Sequence, residues 1–407
     1  MSGGRGSAAP RQIRRGGAAP CAAFPMRVLI ALTYYRPHVS GLTIYAERLA
    51  RGLARRGHRV QVLTSRFAPG LAEREAVDGV EVLRVPVALK LSKGVVMPRF
   101  PARAAAAIGA ADVVNVHMPQ FEAALLAWLG RLRRRGVVLT YQCDLRLPAG
   151  AFNRAVEWSL RPLNRLAAAG ADAIIVSSDD YARHSAFLTR AKAKVRAVDP
   201  LVDLPEPDAA ATAAQRLAWG LGDDVTIGFA ARFAAEKGVE TLLEALPAVL
   251  AALPTARVAF TGAYKDTVGE EAYWQRLAPL IDRHRDRLLF LDLLPAAVMP
   301  SFFAACDVLA VTSLNATEAF GMVQVEAMLS GTPVVATDLP GVREAVRRTG
   351  MGRIVPPRDP ARLAAALIEV IAARPQFVRP RPAVAAAFDL ERAVRQYEEV
   401  FEQVRRR

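Results

Sequence analysis

The stretch Leu314-Asn-Ala-Thr-Glu318-Ala-Phe-Gly-Met-Val-Gln-Val-Glu326-Ala-Met-Leu-Ser-Gly-Thr-Pro-Val-Val-Ala-Thr-Asp338 sets two carboxylates, Glu318 and Glu326, eight positions apart on either side of Phe320-Gly321. After Gly321 the pattern turns helical, with Val325, Met328 and Leu329 on one face. Gly331 is placed to end that helix in a left-handed cap, and Pro333 to Ala336 reads as a buried strand. Glu318 then falls in the loop before the helix and Glu326 near its first turns, about 12 Å further along if all the steps were helical. The free N–H groups of Gly321, Met322 and Val323 form a helix N-terminus suited to phosphate. Gly321 lets a ligand come close to the backbone. A ligand with hydroxyls at both ends and a diphosphate between them is a nucleotide sugar. The alternative is an ordinary amphipathic helix, with Glu318 a first-turn acid and Glu326 solvated.

Outward from this stretch, the chain of 407 residues exceeds what one core serves and suits two domains. Residues 1–25 are rich in Gly, Ala, Pro and Arg and lack the apolar core of a signal peptide; they read as a disordered basic tail, with Met26 opening the folded chain. From there strands alternate with helices. Met26 to Leu32, His58 to Thr64, Ala111 to His117, Val137 to Tyr141 and Ala171 to Ser177 are strand-like, with helical patterns between them. Pro200, Pro205 and Pro207 interrupt the series and mark a linker. A second strand–helix series starts at Val225 and runs to Val355, and Phe388 to Arg407 is an amphipathic helix with no strand after it. The pattern predicts an α/β protein with two doubly wound, Rossmann-like domains, 26–203 and 204–385, facing a central cleft, followed by a terminal helix over 386–407.

After the first strand of the second domain stands Ala231-Arg-Phe-Ala-Ala-Glu-Lys-Gly238. Arg232 and Lys237 thus lie at the strand edge where open α/β sheets bind ligands. A planar guanidinium fork and a mobile ammonium both suit a diphosphate; the alternative is a solvated loop in which Glu236 pairs with one of them.

The arrangement resembles the retaining glycosyltransferases of family 4, which have the GT-B fold. Their Glu, seven residues, Glu element with an internal Phe-Gly, followed by Gly-Thr-Pro-Val-Val-Ala, stands here from Glu318 to Ala336. The resemblance implies that Glu318 faces the donor sugar and that Glu326 holds the ribose hydroxyls. It implies that Arg232 and Lys237 hold the diphosphate and offset its charge without a metal, and that the terminal helix crosses back to the first domain. It also implies a donor-sugar contact for His117, which ends a strand. The loop with Ser40-Gly41 takes the place of the family's glycine loop, commonly Gly-Gly, so the first backbone approach differs. Tyr141-Gln-Cys-Asp144 stands where relatives often carry a His near the acceptor. Gln142 departs from that pattern and leaves Asp144 as the candidate acceptor contact. Gly262 and Leu293-Leu294 are expected to border the nucleotide base.

Other chemistries lack their motifs. No Gly-x-Gly-x-x-Gly follows a strand, no Gly-Lys-Ser/Thr loop exists, and no Asp-x-Asp metal motif occurs. The reading is an enzyme with no cofactor and no bound metal, its partners being a nucleotide-sugar donor and a hydroxyl acceptor. A sugar-nucleotide epimerase on the same fold and a basic, non-catalytic binding protein are the alternatives. Three widely spaced cysteines, Cys21, Cys143 and Cys306, fit a reducing compartment such as the cytoplasm. No apolar run reaches the length of a membrane span. The net charge of +15 is uneven: +4 over residues 1–25, +13 over 26–205 and −2 over 206–407. Without interleaved aromatics or a readable module, nucleic acid is not the expected partner. The field instead suits an acceptor displayed on an anionic membrane, with Arg131, Arg133, Arg134 and Arg135 as candidate contacts, or it is an idle arginine-rich surface.

Overall fold

Runs such as Val28 to Ala31, Gly136 to Tyr141 and Val334 to Thr337 are buried along their whole length, and strands of that kind are stable inside parallel sheets covered on both faces. The computed structural model, which describes residues 25–91, 94–145, 150–265 and 270–406, builds two such sheets. The expected tail over 1–25 lies, apart from Pro25, outside the described residues. In the first sheet the strands lie in the order Val195–Ala197, Ala173–Val176, Gly136–Tyr141, Val113–Met118, Arg27–Ala31, Arg59–Arg66, Val80–Pro86 and Arg74–Val77. All neighbours are parallel except the last pair. The second sheet is wholly parallel, in the order Leu288–Phe290, Arg257–Thr261, Thr226–Ala230, Val308–Val311, Val334–Thr337 and Gly352–Val355.

Each sheet has an apolar cluster on either face, because alternate side chains of one strand point opposite ways: Leu29 and Ala31 enter one cluster, Val28 and Ile30 the other. The strand order reverses beside Arg27–Ala31 in the first sheet and beside Thr226–Ala230 in the second. Two crevices therefore open at the carboxyl edges, one between Arg27–Ala31 and Val113–Met118, the other between Thr226–Ala230 and Val308–Val311.

The sequence pattern does not predict the edge strand Arg74–Val77, the hairpin Leu89–Leu91 with Gly94–Val96, or the helix Ala209–Ala218. The first two are too short for a periodicity to show, and the third is alanine-rich and has no buried side chain. Residues 198–208 carry neither helix nor strand. Leu201 is buried in a cluster of the first sheet and Val202 in a cluster of the second, so the two cores meet between adjacent residues.

The last helix, Leu390–Val404, returns to the first sheet. Its Ala393, Val394, Tyr397, Val400 and Phe401 are buried among Val28, Ile30 and Tyr45. Tyr397 Oη lies 3.0 Å from Tyr45 Oη and 3.3 Å from Thr140 Oγ1. The Met26 N–H donates to His58 Nδ1 at 3.1 Å, which places the ring proton on Nε2, where it is donated to Glu398 Oε1 at 2.7 Å. Glu398 also accepts from Arg56 Nε at 2.7 Å.

The two halves are clamped by Asp180, on the short helix Asp179–His184 whose Ser178 cap accepts from the Tyr181 N–H. Asp180 Oδ2 accepts from the Gly341 N–H at 2.9 Å and from Arg343 Nε at 2.8 Å, and Oδ1 accepts from Arg343 Nη2 at 2.8 Å. Burial pushes the Asp180 carboxyl up, but the Arg343 fork and the Gly341 N–H outweigh it and bring it from 3.8 down to about 2. A depressed carboxyl stabilises the fold fully above its unfolded value and loses that contribution as pH falls through the folded one. We expect Asp180→Asn to lower stability at neutral pH by roughly 1.5–3 kcal/mol. The variant should also lose less stability than wild type between about pH 4 and pH 2, as read from urea midpoints against pH. Parallel acid curves for the two proteins would show that the clamp carries no such linkage.

Candidate active site

The crevice of the second sheet is built from two loops that are knitted together. Past Ala230 the backbone stays in register with the neighbouring strand: the Ala231 N–H donates to Thr261 O at 3.0 Å and the Phe233 N–H to Ala263 O at 2.8 Å. A 3-10 turn over Ala235–Lys237 follows. Thr312, after Val308–Val311, donates its hydroxyl to Lys237 O at 2.8 Å and to Gly238 O at 2.9 Å, and the Leu314 N–H donates to Glu236 O at 2.8 Å. These bonds fix the two sequence-predicted groups against each other: Lys237 Nζ pairs with Glu318 Oε2. Ser313 Oγ donates to the same oxygen at 3.4 Å. Arg232 pairs with Glu236, so the pairing weighed as the alternative is present in the structure. Lys237 and Glu318 are mostly buried, at 22% and 17% side-chain exposure, which leaves both within reach of a ligand.

The helix after Phe320-Gly321 runs over Met322–Leu329, with Gly321 as its cap at φ +77°. A Cβ at Gly321 would sit 2.8 Å from Gln324 Nε2. Gln324 is fully buried and donates to Phe320 O at 2.8 Å and to Val342 O at 2.9 Å, which fixes the entry to the helix. No side chain caps this N-terminus and no acid stands in its first turn, so the first-turn N–H groups of Met322 and Val323 have no bond among the described residues. Phe320 is a correction to the expected donor contacts: its ring is buried in edge contact with Phe388, 5.8 Å between centroids. Only its backbone remains for a ligand. Leu294 is half-buried against an apolar cluster.

Glu326 lies in the second turn of that helix, and its Oε1 accepts from Arg48 Nη2 at 2.7 Å. Arg48 stands on the helix Gly41–Arg55 of the first half and also donates to Leu201 O at 3.1 Å and Asp203 O at 2.8 Å. Sequence reasoning missed Arg48, because an arginine on an amphipathic helix gives no sign of a partner 278 residues away. Gly41 begins that helix, capped by Ser40 Oγ accepting from the Thr43 N–H at 3.2 Å, and a Cβ at Gly41 would meet nothing within 4 Å. Gly262 has a backbone role: at φ +124° a Cβ would lie 2.5 Å from Ala231 O and 3.0 Å from Arg232 N, so it seats the Arg232 backbone.

His117 is fully buried at the end of Val113–Met118. Its Nδ1 accepts from Gln142 Nε2 at 3.4 Å, which leaves the proton on Nε2, a buried group with no partner among the described residues. Burial holds the ring neutral by pushing its pKa down to about 3. Asp144 is committed more deeply than expected. Its Oδ1 accepts from Tyr141 Oη at 2.7 Å and Ser185 Oγ at 2.9 Å. Asp144 N donates to Tyr181 Oη, and Tyr181 Oη in turn donates to Ala316 O at 2.7 Å. The loop after Gly136–Tyr141 is therefore linked through Tyr181 to the loop that carries Glu318. The Cys143 thiol beside them is pushed up to about 12 by burial, with the Glu318 carboxylate adding to the effect.

Two family models match this chain: the glycosyl transferase 4-like domain over residues 40–200 and the glycosyl transferases group 1 over residues 224–373. A D-inositol 3-phosphate glycosyltransferase of Geodermatophilus obscurus is 30% identical, with 92% of this chain and 89% of the relative covered. A GDP-mannose-dependent alpha-(1-6)-phosphatidylinositol monomannoside mannosyltransferase of Mycolicibacterium smegmatis is 28% identical, over 85% of this chain and 89% of the relative. The fold matches the crystal structure of Anabaena Alr3699/HepE in complex with UDP-glucose, with a TM-score of 0.75 at 22% identity, over 93% of this chain and all of that one. Both halves are matched in chain order and a 30% identical relative spans nearly the whole length: the chain belongs to the group 1 glycosyl transferases of the family 4 type and has the GT-B fold.

Proposed function

We propose that this transferase moves a hexose from a nucleoside diphosphate sugar to a hydroxyl acceptor, with retention at the anomeric carbon and without a metal ion. The observation that carries the reading is the Lys237–Glu318 pair at the crevice of the second sheet, beside an uncapped helix N-terminus. Arg232, Lys237 and the N–H groups of Met322 and Val323 hold the diphosphate and stabilise the charge that grows on it. Glu318 orients the donor sugar. Glu326, with Oε1 held by Arg48, takes the ribose hydroxyls. Gly41 and Gly262 leave room beside the diphosphate and base, and Leu294 borders the base. His117 is neutral, with its one ring proton on Nε2, so it gives the sugar a hydrogen bond from Nε2 and does not act as a general acid. Asp144 shapes the acceptor side.

In the transfer, the bond between the anomeric carbon and the diphosphate oxygen breaks with its electron pair going to the diphosphate. The acceptor oxygen bonds the same face of the carbon, and its proton passes to the departing diphosphate. The names of the two relatives specify an inositol phosphate and a phosphatidylinositol mannoside as substrates. Both are anionic polyols, which suits the +13 carried by residues 26–205. We place the reaction in the cytoplasm, at an anionic membrane face that displays the acceptor.

Diphosphonucleoside release, measured across a panel of nucleotide sugars, tests the activity. With the preferred donor, Glu326→Ala should raise the donor KM by roughly 10- to 150-fold, the loss of hydrogen bonds to a charged acceptor, with kcat little changed. Glu318→Ala should instead lower kcat. Wild-type constants for both variants would remove the paired-carboxylate reading. Activity is further expected to survive a strong chelator. Lys237→Ala should reduce kcat by roughly 100-fold or more, with a smaller change in donor affinity. Loss of turnover in chelator, restored by magnesium or manganese, would contradict the metal-independent reading.

A further inference from the structure

The helix Ala151–Gly170 has two unlike faces. Leu160 and Ala167 are buried against the first half. At about 100° per residue, Arg154, Trp158, Arg161 and Arg165 fall within roughly 60° of one another on the opposite side. All four are exposed, Trp158 to 76%. The neighbouring helix Ala123–Leu132 extends this strip. Trp128 Nε1 donates to Leu166 O at 3.0 Å, and the Arg131 guanidinium lies 5.9 Å from the Trp128 ring centroid. Leu132, at 75% exposure, and the exposed Arg133 and Arg134 follow. Arg135 is not part of the surface, since it turns back to donate to Gly109 O at 2.7 Å.

Over both helices the strip carries a single acid, Glu157, and none of its exposed arginines has an ion-pair partner among the described residues. Unpaired arginines interleaved with tryptophan and leucine along a helix about 30 Å long give no walls for a small ligand. They match the layer where phosphate headgroups meet acyl chains: arginine binds the phosphates, while tryptophan and leucine enter the boundary. We propose that this strip docks the enzyme on an anionic phospholipid bilayer, lying in the interface. Among the described residues no helix is long and apolar enough to cross a membrane. The helix leaves the carboxyl end of Gly136–Tyr141 and returns to the amino end of Ala173–Val176, so the strip runs along one flank of the first half from the cleft edge of the sheet to the opposite edge. That this serves an acceptor held in the membrane rests on the transferase reading; the docking does not.

Co-sedimentation with vesicles of phosphatidylcholine alone, and of phosphatidylcholine mixed with phosphatidylglycerol, tests the proposal on the full chain. Binding is expected only to the mixed vesicles and should weaken as salt rises. The triple variant Arg154→Gln, Arg161→Gln, Arg165→Gln should bind roughly a hundredfold more weakly. A blue shift of tryptophan emission on docking should shrink in Trp158→Phe. Release of nucleoside diphosphate in solution should be the same for the triple variant as for wild type. Equal binding by wild type and triple variant, no binding to mixed vesicles, or tight capture by soluble polyglutamate with no blue shift on vesicles would each overturn it. Docking without turnover of any nucleotide sugar would count against the transferase reading and leave the docking face standing.

Discussion

Charge inside a half-buried crevice must be matched, and the site is organised around that constraint. A cation withdrawn from water without a counter-charge costs several kcal/mol. Here Lys237 faces Glu318, Arg232 faces Glu236 and Arg48 faces Glu326. On the proposed reading, a diphosphate competes for Lys237 and Arg232, so its arrival would exchange one set of pairs for another without leaving a charge stranded. That exchange would free Glu318 from Lys237 to accept a hydrogen bond from the donor sugar, and binding and orientation of the donor would then be one event. The bonds from Thr312 and Leu314 to the Glu236–Gly238 backbone keep both loops in place while the pairs change.

The two halves are not independent supports for this crevice. The loop carrying Glu318 accepts a hydrogen bond from Tyr181, and Glu326 on the following helix is held from the other half by Arg48. Asp180 grips Gly341 and Arg343 nearby. The linker is buried on both sides of the Leu201–Val202 junction, and Asp199 before it pairs with Arg348 at 2.7 Å and Arg392 at 2.9 Å. Any opening of the cleft therefore works against identifiable contacts, and Arg48 connects the linker carbonyls to the carboxylate assigned to the ribose.

Much of this architecture was legible in the sequence, because parallel strands buried on both faces write themselves as short unbroken apolar runs bounded by helical periodicity. Lys237, Glu318 and the helix at Met322 could be read for the same reason: each sits just past a recognisable strand. What could not be read depends on the third dimension. Arg48 and Asp180 look like solvated helix residues until the halves are brought together. Phe320 reads as a ligand contact because it lies inside the motif, yet Phe388, far along the chain, claims its ring. Asp144 reads as a candidate acceptor contact, and nothing in the sequence shows that Tyr141 and Ser185 occupy one of its oxygens. The helix Ala209–Ala218 follows a proline-rich linker and has no apolar face to announce it.

The central claim is that the cations and the helix N-terminus at the second crevice receive a diphosphate. A crystal structure of the chain with a nucleoside diphosphate tests it most directly. The account predicts diphosphate oxygens within roughly 3 Å of Lys237 Nζ, the Arg232 guanidinium and the N–H groups of Met322 and Val323, with the ribose hydroxyls on Glu326. A nucleotide bound elsewhere, with the Lys237–Glu318 and Arg232–Glu236 pairs both intact, would contradict it.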